Sequence, residues 1–86
     1  MNHLEIVKAI NDKISSSGHP YWTIGVTDDP ETRKSQHESD GENVTHWSQW
    51  EADSEKVSRD VEKAFLDLGM KGGTGGGGGA GYVYVF

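Results

Sequence analysis

Residues 81–86, Gly81-Tyr82-Val83-Tyr84-Val85-Phe86, alternate along a run of aromatic and β-branched side chains, the signature of a strand with two different faces. Tyr82, Tyr84 and Phe86 share one face. Such a run buries its apolar groups only by pairing with something, yet it follows Lys71-Gly72-Gly73-Thr74 and five consecutive glycines, Gly75 to Gly79. The pattern predicts a glycine-rich connector over 72–80 that carries a final strand, residues 81–86, across the domain to complete its core.

Working back from that strand, Asp53 or Ser54 caps the strongest helical pattern in the chain. Val57, Val61, Ala64, Phe65 and Leu68 form its apolar stripe, and Gly69 stops it at the usual position past the end. Val44 to Glu51 reads as a strand containing His46, Trp47 and Trp50, polar enough to keep one face in water or over a site. Tyr21 to Thr27 is a second alternating run. Trp22, Ile24 and Val26 point one way, and Tyr21, Thr23, Gly25 and Thr27 the other. Between these strands, Asp29 caps a short helix with Pro30 at its first position. That helix carries Arg33, Lys34 and His37, has almost no apolar face, and is expected to end before Ser39-Asp40-Gly41-Glu42-Asn43. At the start, Asn2 and Glu5 form a capping-box pattern for a helix over 3–16, with Leu4, Val7, Ile10 and Ile14 on one face. The expected fold class is α+β, in the order α-β-α-β-α-β, with about three helices and a small sheet of about three strands.

Eighty-six residues suffice for one domain and not for two. A chain of this size buries about 60–65% of the surface exposed when unfolded, so each large apolar side chain matters. The apolar fraction is only 33%, but three Trp, three Tyr and two Phe supply burial that disordered chains lack. The absence of cysteine excludes disulfides, thiolate metal sites and cysteine nucleophiles. MNHLEIVKAINDK lacks a basic region followed by an unbroken apolar run, and no stretch reaches membrane-spanning length, so a cytoplasmic location without membrane association is expected. The net charge of −6 repels polyanions at long range, and a nucleic-acid partner would need a local basic patch.

The glycine tract lacks the Lys and Ser/Thr of a phosphate-binding loop, because Ala80-Gly81-Tyr82 follows it. His3, His19, His37 and His46 show no paired metal-ligand spacing. Lys56, Arg59 and Lys63 share a helix flank, where pairing with Glu55, Asp60 and Asp67 is the default for a solvated face.

The segment YWTIGVTDDPETRKSQH, Tyr21 to His37, resembles the second half of the GIY-YIG nuclease core. Gly25, Thr27, Arg33 and His37 hold that family's spacings. Val44 to Glu51 and the helix containing Asp60-Val61-Glu62-Lys63 resemble the elements that follow, with Glu62 as the metal-binding glutamate. The family's opening strand is missing before Tyr21, but Gly81 to Val85 is similar to it. The resemblance is therefore to a circularly permuted member, with the first helix as an addition. Thr23 stands where the second signature tyrosine is expected, and Tyr21 is the candidate substitute.

That resemblance implies phosphodiester hydrolysis with Mg2+ or Mn2+ held by Glu62. Arg33 would balance charge on the phosphoryl oxygens, and Tyr82 or Tyr84, with His37, would help deprotonate the attacking water. Two other readings stay open. One is a silent module of the same fold that binds nucleic acid or protein. The other is an acidic decoy that occupies a nucleic-acid-binding protein with Asp28, Asp29, Glu31, Glu38, Asp40 and Glu42. Oligomeric state is not legible in these residues.

Overall fold

The computed structural model describes residues 1–14, 17–72 and 80–86. Most of the expected connector over 72–80 lies outside the described residues, as do the last two residues of the expected first helix. Three helices, α1 (His3–Ile14), α2 (Pro30–Ser39) and α3 (Glu55–Asp67), accompany four strands, β1 (Thr23–Thr27), β2 (Ser48–Glu51), β3 (Lys71–Gly72) and β4 (Tyr82–Val85). The class is α+β, with a mixed sheet in the order β2-β4-β1-β3.

The last strand lies inside the sheet. β4 pairs antiparallel with β1, setting Gly25 opposite Tyr84, and antiparallel with β2 on its other side, setting Gln49 opposite Tyr84. Val83 and Val85 then join Ile24 and Val26 on one face, all but sealed from solvent. Ile6, Ile10 and Ile14 of α1 and Val61 and Phe65 of α3 cover that face. Each such side chain contributes about 1.5–3 kcal/mol on burial, so the final strand is a large part of what stabilises the domain. Ser58 of α3 is fully buried, and its hydroxyl donates to the Ala80 carbonyl just before β4.

The caps follow the sequence. Asn2 Oδ1 accepts from the Glu5 N–H while Glu5 Oε1 accepts from the Asn2 N–H, both at 2.9 Å. Asp29 caps α2 through the Thr32 N–H, and Ser54, of the two candidates, caps α3 through the Val57 N–H. Gly69 takes φ 106° after α3, a left-handed conformation that favours glycine.

Several expectations are corrected. Leu4 is 74% exposed and Ile6 is buried in its place. The row Ile6, Ile10, Ile14 steps by four residues and faces the core, whereas Leu4, two residues from Ile6, points away. Leu68 lies at the exposed end of α3 and is 57% accessible. α2 runs through Ser39 before stopping at Asp40. Only the second half of Val44 to Glu51 is strand. Asn43 Oδ1 accepts from the Thr45 N–H, and the Trp47 N–H bonds to the Val44 carbonyl, so residues 44–47 turn instead of extending. β1 begins at Thr23, because His19-Pro20-Tyr21 forms a 3-10 turn with proline near its start. β3 is unanticipated. Its two residues pair parallel to β1 through the backbone and carry no alternation to read.

Candidate functional site

The sheet face opposite the core is where the chemistry gathers. Alternation in β4 sends Tyr84 there, and it meets β1 at Gly25. Lacking a Cβ, Gly25 makes room for the phenol ring. A methyl group there would come within 2.9 Å of Tyr84 Cε2 and closer still to Cζ and the hydroxyl. Tyr84 is therefore buried, flat against the strand beside it.

α2 supplies the next group. His37, also buried, places Nε2 2.9 Å from the Tyr84 hydroxyl and Nδ1 2.5 Å from Glu42 Oε2. The carboxylate can only accept, so Nδ1–H donates to Glu42, and Nε2 is left to accept from the tyrosine. The result is a chain of three groups, Glu42–His37–Tyr84, in which a carboxylate orients an imidazole against a hydroxyl. Trp47 stacks on Tyr84 with centroids 4.4 Å apart, and Phe86 packs on His37 at 4.7 Å. These rings hold the chain in place and keep water from its middle.

Two charges flank it. Arg33 lies one turn before His37 on the same face of α2 and is half-buried. Of the 14 Asp and Glu side chains, Glu62 on α3 is alone in not being exposed. Burial pushes the Glu62 carboxyl above its ordinary value, and Arg59 offsets part of that rise. Burial pushes the Tyr84 phenol up to about 12; Arg33 opposes the rise, while Glu62 and Glu42 add to it.

His37 and Tyr84 thus come together from two elements far apart in the chain, with Arg33 one turn before His37. Glu62 lies on α3, which covers the core face of the sheet, and among the described residues no hydrogen bond or ring contact joins it to His37 or Tyr84. Two further candidates also stay apart. Tyr82 is half-buried on the same strand face, but among the described residues no ring contact or side-chain hydrogen bond links it to His37 or Tyr84. Tyr21 lies in the 3-10 turn outside β1, 79% exposed, and does not take the position of the missing strand tyrosine. Glu42 went unnoticed as a site residue because in sequence it belongs to a run of exposed acids. Its spacing of five from His37 bridges a helix end, where no periodicity applies.

Among the described residues several clefts border the chain of three, one of them of about 300 Å³ between Glu42 and Lys34. Another, of about 400 Å³, runs along α2 and is lined by Arg33 and His37. A third, of about 350 Å³, is lined by Glu42 and Phe86. Among the described residues no group of three or more His, Asp or Glu side chains is placed to hold a metal ion. No helix among them is long and apolar enough to cross a membrane. No protein-family model, curated protein or solved structure matches the chain.

The state of Tyr84 can be read directly. In an ultraviolet titration of phenol ionisation, one tyrosine is expected to ionise near pH 12, and Tyr84→Phe should remove that late step. Because the folded value lies above the unfolded value of about 10, the linked stability is fully present below pH 10 and is lost as pH rises towards 12. Two units correspond to about 2–3 kcal/mol. A wild-type titration complete by pH 11 would contradict the buried, bonded phenol.

Proposed function

We propose that the chain is a nucleic-acid-processing domain of the GIY-YIG type, circularly permuted, that hydrolyses phosphodiesters with a divalent cation. One observation carries this reading: the buried Glu42–His37–Tyr84 chain, with Arg33 one turn before His37 on the same helix. These groups would offer a cation for the phosphate and a route for a proton, and the resemblance to the family assigns the metal-binding carboxylate to Glu62.

Glu62 would hold the cation. A single half-buried carboxylate suits Mg2+ or Mn2+, since hard cations of this kind keep several waters and share phosphate oxygens, and it does not suit zinc's tetrahedral nitrogen and sulfur set. Held there, such an ion would stabilise the leaving oxygen and polarise the phosphate. The Arg33 guanidinium neutralises charge that builds on the phosphoryl oxygens. As the water oxygen bonds to phosphorus, its proton would pass to the Tyr84 hydroxyl once the rings over it open, and the phenol's own proton would pass to His37 Nε2. Glu42 stabilises the imidazolium that forms. The raised phenol value bears on this order of events, because Tyr84 stays protonated at neutral pH and acts as a relay, not as a standing phenolate. The P–O bond to the leaving strand breaks, and solvent protonates the departing oxygen.

Two competing readings are a silent binding module of the same fold and an acidic decoy for a nucleic-acid-binding protein, the second drawing on the exposure of every carboxylate except Glu62. Cleavage of supercoiled and branched DNA with Mg2+ or Mn2+ separates hydrolysis from both. Arg33→Ala and His37→Ala are each expected to reduce the rate by about 10²-fold or more while leaving the circular dichroism spectrum intact. A folded wild-type sample that cuts neither substrate with either metal sinks the hydrolytic reading and leaves the other two.

A further inference from the structure

The cleft beside Glu42 is lined by four aromatic or imidazole rings, Tyr21, Trp22, His46 and Phe86, together with Asn43 and Lys71. At about 350 Å³ it falls at the lower end of the range for small-molecule sites, about 300–1,000 Å³. Tyr21 is 79% exposed, so its ring does little for the core. Trp22 is half-buried, with His46 6.5 Å away on one side and the Lys13 ammonium 5.7 Å from its ring. Asn43 uses its side-chain oxygen on the Thr45 N–H, which leaves its amide nitrogen as a donor towards the cleft. Among the described residues Lys71 forms no ion pair, and it stands at the rim of the cleft. Two of its lining residues touch the site: Glu42 is bonded to His37, and Phe86 packs on the same ring.

We infer that this cleft receives one unpaired nucleobase of a single strand, stacked against Tyr21 and His46, with Lys71 on the adjacent phosphate. The inference rests on the nucleic-acid reading above and adds the class of substrate: a single-stranded or splayed-out nucleotide, not continuous duplex. Charge argues for this mode. A chain of net charge −6 gains little general attraction to a phosphate backbone, so its affinity must come from stacking and a few local cations. The rings presented here are of that kind, and a base inside a duplex could not stack on them without leaving its neighbours.

The test uses the full chain in EDTA, which prevents cutting, with tryptophan fluorescence as the readout. The probes are eight-nucleotide oligothymidylate, oligouridylate, an abasic strand of the same length and a blunt duplex. The single strands with bases are expected to bind at least about tenfold more tightly than the abasic strand, within the range of base–aromatic stacking. Tyr21→Ala/His46→Ala, both at exposed positions, should erase that difference without unfolding the protein. Equal affinity for the abasic strand or for the duplex overturns the inference, as does a base preference that survives the double substitution. The cleavage assay separates the two proposals. Base-dependent binding by a chain that cuts nothing removes only the nuclease reading, whereas cutting without base-dependent binding removes only the base cleft.

Discussion

Gly25→Ala is expected to destabilise the domain by about 2–4 kcal/mol and to dismantle the Glu42–His37–Tyr84 chain. The added methyl group would overlap the Tyr84 ring, and both residues sit in the middle of the sheet, where neither strand can yield without breaking the β1–β4 ladder. Overpacking of this kind costs about 1–3 kcal/mol, and loss of the hydrogen bond to His37 adds about 0.5–1.5 kcal/mol. That is a large fraction of the about 5–15 kcal/mol typical of a small domain. Urea denaturation would measure the loss, and the double mutant with Tyr84→Ala supplies the decisive comparison. If the clash is the cause, alanine at position 25 should cost much less once the ring is gone, a coupling well above 0.5 kcal/mol. Additive losses would mean that Gly25 is required for some reason other than the phenol.

Glu62→Gln should have the opposite pair of effects: cleavage falls by about 10²–10³-fold while the fold becomes no less stable at neutral pH. The carboxyl's folded value lies above its ordinary one because burial disfavours the charge. The linked stability is therefore fully present at a pH below the unfolded value, near 4.5, and is lost as pH rises through the raised folded value. Glutamine carries no charge, so the variant escapes this loss at pH 7, and the two proteins converge in acid. The gain is expected to stay below about 1 kcal/mol, because the group still faces water. Thermal melts at pH 4 and pH 7, run beside the cleavage assay, test both halves. A variant that loses activity and stability together would make Glu62 a structural residue.

Arg33, His37, Tyr84 and Glu62 were all singled out by the family resemblance; strand alternation by itself showed only that Tyr84 shares a face with Tyr82 and Phe86, since one charge on a polar helix face looks like any other. Glu42 was not legible at all. It lies past the end of α2, and its tie to His37 depends on how the chain turns at Asp40 and Gly41. Tyr21 was misread because alternation was extended two residues too far, across the turn that His19 and Pro20 impose.

By itself, the amino-acid sequence determined the local elements of this protein. Capping residues, periodic apolar positions and the two alternating runs are short-range signals, each carried by neighbours along the chain, and they place three helices, the main strands and the final strand's two faces. Only the tertiary structure decided which strands neighbour β4, that Gly25 lies under Tyr84, and that an acid from the loop after α2 reaches His37 on the far side of the phenol. The strand pairings join residues far apart in the chain, held by packing against a shared core. No local pattern encodes them, because the same side chains at the same spacings could face water equally well until the sheet closes around the last strand.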